Sequence, residues 1–277
     1  MPRLASLLLA GLGLLAALAA PAVAMFLLWR AFPLIGDGHL LRLVDDEWFP
    51  GEGKFGLLPL VVGTASTAGL ALLLAVPIGL LSAVWVRFYA GPRRARLAEM
   101  SLGVIAGMPS VVFGLFGTFW IVPALGASLA SAALVLAMMV VPSFALFALA
   151  ALRQVPEGLL RDGQALGLHK SRVIRHLALR TAQPGLIGAA TLALARALGE
   201  ALAVEMVAGN VPNFPDSLLA PVRTLTTTLV QEFEYAHGAH AGALHLVALA
   251  VVALASMLVT LAFKLGHGQI HAAPEAA

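Results

Sequence analysis

The sequence AATLALARALGEALAVEMVAGN, residues 189–210, decides the fold class. It has the apolar pattern and length of a membrane-crossing helix, yet it contains Arg196, Glu200 and Glu205. A charge inside a membrane span is costly and usually faces a protein interior or a water-filled path. On a helix, Arg196 and Glu200 would share one face within pairing distance. This pattern predicts a polar pathway between helices, with a structural pair that only neutralises itself as the alternative.

Small residues precede and accompany these charges at the spacing of one helix face. They are Gly185, Ala189, Ala193 and Ala197. Small side chains at this spacing let a second membrane helix approach closely. We therefore expect the charged helix to pack tightly against a neighbour.

The composition indicates a polytopic α-helical membrane protein. Of the 277 residues, 60% are hydrophobic and 11% are charged, against about 25% charged in soluble domains. There is no cysteine, and the eight histidines lack metal-ligand spacing. No phosphate-binding loop of the G-x-x-x-x-G-K-[ST] type occurs, so we expect ATP hydrolysis to take place in another subunit. We predict no catalytic residue, no metal and no cofactor.

Six spans can be placed along the chain. The first resembles a secretory signal with a cleavage site near Ala22-Val-Ala24, but its apolar run continues to Phe32, so we expect it to remain uncleaved. Residues 100–152 carry no charge and are too long for one span; a turn at 123–128 would divide them. The six predicted spans are about 4–32, 57–86, 100–122, 129–152, 182–208 and 241–263.

The distribution of cations predicts that both termini are cytoplasmic. Of the 17 Lys and Arg residues, four lie in the loop after span two and six in the loop after span four. The N-terminus and the C-terminus hold one each. The opposite side holds four, and Arg196 lies inside the membrane. The outer loops carry most of the acidic residues, which either receive a docking protein or are simply solvated: Asp37, Asp45, Asp46, Glu47, Glu52, Asp216, Glu232 and Glu234.

A basic amphipathic segment, residues 153–180, follows span four on the cytoplasmic side. Gly167 interrupts its helical pattern, as expected of a surface element that leaves the bilayer and turns. Such an element would fit the groove of a partner subunit or, alternatively, lie on the membrane surface.

The position and sequence of this segment resemble the membrane subunits of binding-protein-dependent ABC importers. Their signature, E-A-A-x3-G-x9-I-x-L-P, aligns with Arg161-Asp162-Gly163, then Gly167, then Leu177-Ala178-Leu179-Arg180. The central Gly and both apolar positions match, whereas the Glu, the two Ala and the Pro do not. The resemblance implies that the segment is a coupling helix seated in an ATPase subunit. The residues that it assigns to coupling are Asp162, Gly163, Ala165, Gly167, Leu177 and Leu179.

Further motifs are similar to phosphate importer permeases of the PstC type. They are FGLLPLVVGT (55–64), AGMPSVVFGLFG (106–117), QPG (183–185), RALGE (196–200), AGN (208–210) and SLLAPVRTLTTTLVQEF (217–233). Glu205 departs from the pattern, in which an apolar or small polar residue is more usual. By this resemblance, Arg196 and Glu200 match the charged pair of the translocation path.

The resemblance implies the architecture of a type I ABC importer permease in a bacterial inner membrane. Residues 1–56 would form the first helix and an outer loop, 57–265 the transmembrane domain with the coupling loop 153–180, and 266–277 a cytoplasmic tail. The implied partners are a second, PstA-like permease, a PstB-like ATPase dimer and a PstS-like phosphate-binding protein outside the membrane. The alternatives are import of another oxyanion, such as molybdate, tungstate or sulfate, and a membrane-embedded enzyme or a non-transporting membrane scaffold.

Overall fold

The computed structural model describes residues 18–19, 21–32 and 45–267, and these residues are mostly helical. One short antiparallel hairpin, β1 (Trp48–Phe49) and β2 (Lys54–Phe55), precedes the main helices. The helices are α1 (Pro21–Phe32), α2 (Leu58–Phe88), α3 (Pro92–Ala106), α4 (Ser110–Phe116), α5 (Val122–Leu125), α6 (Leu129–Arg153), α7 (Glu157–Ala165), α8 (Lys170–Arg172), α9 (Leu179–Gly199), α10 (Leu202–Glu205), α11 (Leu225–Glu232) and α12 (Gly238–His267).

The core consists of α2, α6 and α9, with α6 in the centre. Close packing between α2 and α6 depends on Gly79, where an added Cβ would lie 2.6 Å from Cδ1 of Phe144. On α9, Ala189, Ala193 and Ala197 are buried, and a Cβ at Gly185 would lie 2.8 Å from Cβ of Ala151 on α6. The predicted close approach along this strip of small residues is therefore present.

The third predicted span is not one straight helix. Between Ala106 and Ser110 the chain bends, so that α3 and the α4–α5 segment form an angle of 90°. Pro109 lacks an N–H and disfavours a helical conformation at Met108, which ends α3 at this point. A π-helical turn, Gly117–Ile121, joins α4 to α5. The predicted turn follows at Gly126, whose φ of +74° suits glycine.

Three described helices, α2, α6 and α12, are long and apolar enough to cross a membrane, and the bent α3–α5 segment would make a fourth. α9 begins before the predicted residue 182 and stops at Gly199 instead of continuing to residue 208. The N-terminal part of the predicted first span lies outside the described residues. α1 forms the last part of that span. The count of six spans and the cytoplasmic termini remain predictions.

A second apolar cluster lies beside the hairpin, at the end of α2 that the cation distribution places outside. It joins Trp48 and Phe55 of the hairpin to Leu60 of α2, Leu225 of α11 and Leu244 of α12. Gly63 allows the chain before α11 to cross α2, because a Cβ there would lie 2.3 Å from the carbonyl oxygen of Arg223. This cluster packs the hairpin and α11 against α2 and α12.

Candidate translocation and coupling sites

The charged stretch that suggested one long helix contains a break. α9 ends at Gly199, and Glu200 has extended backbone angles of φ −76° and ψ 128°. Oε1 of Glu200 accepts a hydrogen bond from the backbone N–H of Ala203 at 3.1 Å, in the first turn of α10. The hydroxyl of Thr226, on α11, donates to the carbonyl oxygen of Glu200 at 2.7 Å. The break is thus held by hydrogen bonds from two neighbouring elements.

Arg196 lies on the last turn of α9 and is exposed on the isolated chain. Its Nη2 atom donates to the carbonyl oxygen of Ala106 at 3.4 Å. Ala106 is the last residue of α3, so the guanidinium lies at a helix C-terminus, where the peptide dipoles favour a cation. This contact connects Arg196 to the bend between α3 and α4, within the AGMPS motif.

The predicted ion pair between Arg196 and Glu200 is not formed among the described residues. The i, i+4 argument required a helix through Glu200, and the helix ends one residue earlier. Each side chain instead interacts with backbone: the arginine with the end of α3 and the glutamate with the start of α10. The interpretation as a pair that only neutralises itself is therefore wrong for this conformation.

Glu205 lies at the end of α10 and is partly buried. Its backbone carbonyl accepts a hydrogen bond from Nδ2 of Asn210 at 2.7 Å, and Asn210 has a positive φ of 57°. Asparagine tolerates this conformation better than most residues, which accounts for the AGN motif after the helix. Within the described part of the chain, no ion pair reaches the carboxylate of Glu205.

The predicted coupling segment folds as a compact turn of two helices. Gly163 of α7 is buried against the chain that leads into α9, and a Cβ there would lie 2.6 Å from Cδ1 of Leu177. Gly167 reverses the chain with a φ of +77°, while Asp162 and Ala165 are exposed. Leu177 and Leu179 are partly buried on the return path.

The tip of this segment presents an apolar residue to the outside. Leu166, next to the reversal, is 82% exposed. The return path consists of α8, a π-helical turn at Val173–Ala178 and then α9, with no break from Lys170 to Gly199. The coupling segment and Arg196 therefore lie on one continuous helical column.

A largely buried carboxylate joins the predicted outer loops, and sequence reasoning missed its role. Glu232, at the end of α11, forms an ion pair with Arg223 and a hydrogen bond of 2.8 Å with Nε2 of His240. It also accepts hydrogen bonds at 3.0 and 3.1 Å from the indole Nε1 of Trp48. Both Glu232 and Arg223 are only 16% exposed. Glu232 thus joins the hairpin, the chain before α11 and the start of α12.

Other acids of the predicted outer mouth are also paired inside the chain. Nζ of Lys54 lies 2.6 Å from Glu47 and 3.0 Å from Glu52. Hydrogen bonds to Glu47 and then to Glu52 raise the pKa of Lys54. The acidic surface open to a docking protein is therefore smaller than the sequence count indicates.

We expect replacement of Glu232 by Ala to destabilise the outer loops. Arg223 and His240 would lose their carboxylate while largely buried, at a cost of about 2 kcal/mol. In the detergent-solubilised chain this would lower the apparent melting temperature by about 4–8 °C. Glu234→Ala, at an exposed position two residues away, is the matched control. Equal melting temperatures for the two variants would contradict the role assigned to Glu232.

Comparison with known proteins identifies a family for most of the chain. A family model described as "Binding-protein-dependent transport system inner membrane component" matches residues 75–270. The phosphate transport system permease protein PstC of Mesorhizobium japonicum is 29% identical, over 76% of this chain and 72% of that protein. The probable ABC transporter permease protein YqgH of Bacillus subtilis is 31% identical, over 72% and 68%. PstC 1 of Mycobacterium tuberculosis is 34% identical, over 70% and 66%.

Solved structures share the fold at lower identity. An inward-facing conformation of the MetNI methionine ABC transporter matches with a TM-score of 0.58 and 19% identity, over 76% of this chain and 96% of that chain. An amino acid ABC transporter matches with a TM-score of 0.55 and 16% identity, over 76% and 92%. The chain is therefore a multi-pass inner-membrane protein that belongs to the family of binding-protein-dependent transport system inner membrane components, the permeases of ABC importers.

Proposed function

We propose that this chain is the permease subunit of an ATP-driven importer of inorganic phosphate and forms half of its translocation path. Similar proteins from M. japonicum and M. tuberculosis are described as phosphate transport system permeases. One observation carries the proposal: Arg196 is exposed and has no carboxylate partner among the described residues. A guanidinium can donate two parallel hydrogen bonds to a tetrahedral oxyanion, which is the recognition that phosphate requires.

The contact between Arg196 and Ala106 suggests how the empty path is kept ready. A hydrogen bond of 3.4 Å to a neutral carbonyl is long, and a charge-assisted bond to phosphate is shorter and stronger. An arriving anion would therefore replace the carbonyl oxygen of Ala106 as the hydrogen-bond partner of the guanidinium. In this role, Glu200 fixes the break after α9 through Ala203 and adds negative charge beside the path.

The coupling segment supports a route from ATP hydrolysis to the path. We infer that α7 and α8 seat in the ATPase, with Asp162, Ala165 and Leu166 on the exposed surface and Gly163 and Leu177 holding the two arms together. Movement of this element would pass along the helical column to Arg196. Over about 30 residues, at about 1.5 Å per residue, the column is about 45 Å long, which is enough to cross a bilayer.

The same proposal assigns the partners. A PstS-like binding protein would deliver phosphate to the outer loops, a second PstA-like permease would complete the path, and a PstB-like ATPase dimer would hydrolyse ATP. Exposure of Arg196 on the isolated chain is compatible with a path formed between two permeases.

Uptake by cells in which this chain supplies the missing permease tests the substrate. We expect accumulation of radiolabelled phosphate that a tenfold excess of molybdate, tungstate or sulfate leaves nearly unchanged. A gene deletion complemented with the empty vector is the control. Strong competition by molybdate, tungstate or sulfate would indicate that this anion is the substrate instead of phosphate. An absence of any uptake would favour a non-transporting scaffold.

A further inference from the structure

An apolar groove lies between the C-terminal parts of α2 and α3. It has a volume of about 440 Å³ and is lined on α2 by Leu81, Ser82, Trp85 and Val86 and on α3 by Ala98, Ser101, Leu102 and Ile105. Leu81 is 69% exposed and Trp85 is 44% exposed, so this side of the groove is not covered by the rest of the described chain. The groove is open and mostly apolar, which suits a hydrocarbon chain.

A cation lies on the same helix face as the groove lining. Arg94 precedes Ala98, Ser101 and Ile105 by four, seven and eleven residues, so all four positions share one face of α3. Arg94 is exposed and has no ion pair among the described residues. Glu99, the acid of α3, pairs with Arg153 of α6. The positive charge at this end of the groove is therefore not neutralised.

A second cation reaches this end of the groove from the coupling segment. Tyr89 follows Leu81 and Trp85 at helical spacing and so continues the groove face of α2. Nζ of Lys170, the first residue of α8, lies 4.6 Å from the centre of the Tyr89 ring. Helical spacing and the Tyr89 contact therefore place Arg94 and Lys170 toward the same end of the groove.

We propose that this groove binds an anionic phospholipid of the inner leaflet, with an acyl chain between α2 and α3 and the headgroup phosphate at Arg94 and Lys170. The charge and the apolar lining together select this occupant. A free anion would leave the apolar groove empty, and a zwitterionic lipid would bring its own cation beside Arg94 and Lys170, whereas an anionic lipid brings a net negative charge. Since Lys170 belongs to the coupling segment, the lipid would join α3 to the element assigned to the ATPase contact.

Native mass spectrometry of the purified whole chain in detergent tests this site. Phosphatidylglycerol and phosphatidylcholine with identical acyl chains serve as the probes. We expect wild-type chain to retain phosphatidylglycerol preferentially, and Arg94→Gln to lower its affinity about fivefold, the contribution of one cation near an anionic surface. Arg93→Gln removes the same charge one position off the groove face and should leave the affinity unchanged. This readout does not depend on phosphate transport, so the two proposals can fail separately.

Filling the groove tests the acyl-chain contact independently of charge. Ser101→Phe should reduce retention of both lipids, whereas Met100→Phe, at an exposed neighbouring position, should not. Equal phosphatidylglycerol affinity in Arg94→Gln and Arg93→Gln would overturn the proposal, and so would equal retention of the two lipids by wild type or displacement of lipid by inorganic phosphate.

Because the chain has no cysteine, Ser101→Cys also tests for a protein occupant. A disulfide between two copies at this position, with lipid retention unaffected by Ser101→Phe, would assign the groove to a dimer contact instead.

Discussion

Replacement of Arg196 by Gln is expected to reduce phosphate uptake about 30-fold or more. Gln keeps much of the side-chain length and an NH2 donor group but loses the charge and the guanidinium fork. Truncating one partner of a desolvated ionic contact costs about 2 kcal/mol or more, which corresponds to about 30-fold. The measurement is the initial rate of radiolabelled phosphate uptake in cells with matched amounts of assembled transporter.

Two further substitutions separate charge from structure at this position. Arg196→Lys keeps the charge but loses bidentate geometry, so we expect intermediate uptake. Arg30→Gln removes an exposed arginine of α1, outside the proposed path and the coupling segment, and should leave the uptake rate nearly unchanged. If Arg196→Gln transported as well as Arg30→Gln, Arg196 would not lie on the phosphate path.

Glu200 requires a different comparison because its carboxylate also binds backbone. Gln can still accept the hydrogen bond from Ala203, whereas Ala cannot. A structural role predicts a defect in Glu200→Ala alone, while a role of the negative charge in transport predicts a defect in both variants. We expect both variants to transport poorly and Glu200→Ala to be the worse of the two.

Substitution of Gly167 by Val is expected to uncouple ATP hydrolysis from transport. Gly167 has a φ of +77°, and no atom within 4 Å would meet an added Cβ. The free-energy cost of the substitution therefore comes from backbone strain, because a β-branched residue at positive φ costs about 1–3 kcal/mol. The reversal between α7 and α8 would change, and binding-protein-stimulated ATPase activity in proteoliposomes should fall about tenfold, as a loss of about 1.4 kcal/mol implies.

The control for this prediction is Gly158→Val on the same arm. Gly158 also has open space around it but lies within α7 at negative φ, so a side chain is tolerated. Both variants should assemble with the ATPase. Stimulation that survived in Gly167→Val would place the coupling contact elsewhere.

The membrane class, the main helices and the turn at Gly167 could be predicted from the sequence. Long hydrophobic runs predict helices such as α2 and α12. A central glycine between two amphipathic segments predicts the turn at Gly167. These are local properties, and they depend little on which other helices are nearby. The strip of small residues on α9 also correctly indicated close packing, although it could not identify α6 as the partner.

The local geometry of the charged site could not be predicted, because tertiary hydrogen bonds decide it. Nothing in the apolar period of residues 189–210 shows that the chain breaks at Glu200; the break depends on bonds with Ala203 and with Thr226, distant in sequence. The partner of Arg196 is a backbone carbonyl 90 residues away, and backbone acceptors leave no signal in sequence. Pro109 gave a usable warning for the bend after α3, since a proline after Gly-Met in an apolar run favours a bend over a straight span.

The contact at Gly79 limits how the permease can move. If α2 slid along α6 by one helical turn, Ala75 or Ala83 would occupy the place of Gly79, and its methyl group would lie 2.6 Å from Phe144. Gly79 itself is also confined by backbone atoms of Val141 and Ala145. We therefore expect α2 and α6 to keep their register and to act as one rigid unit throughout the transport cycle.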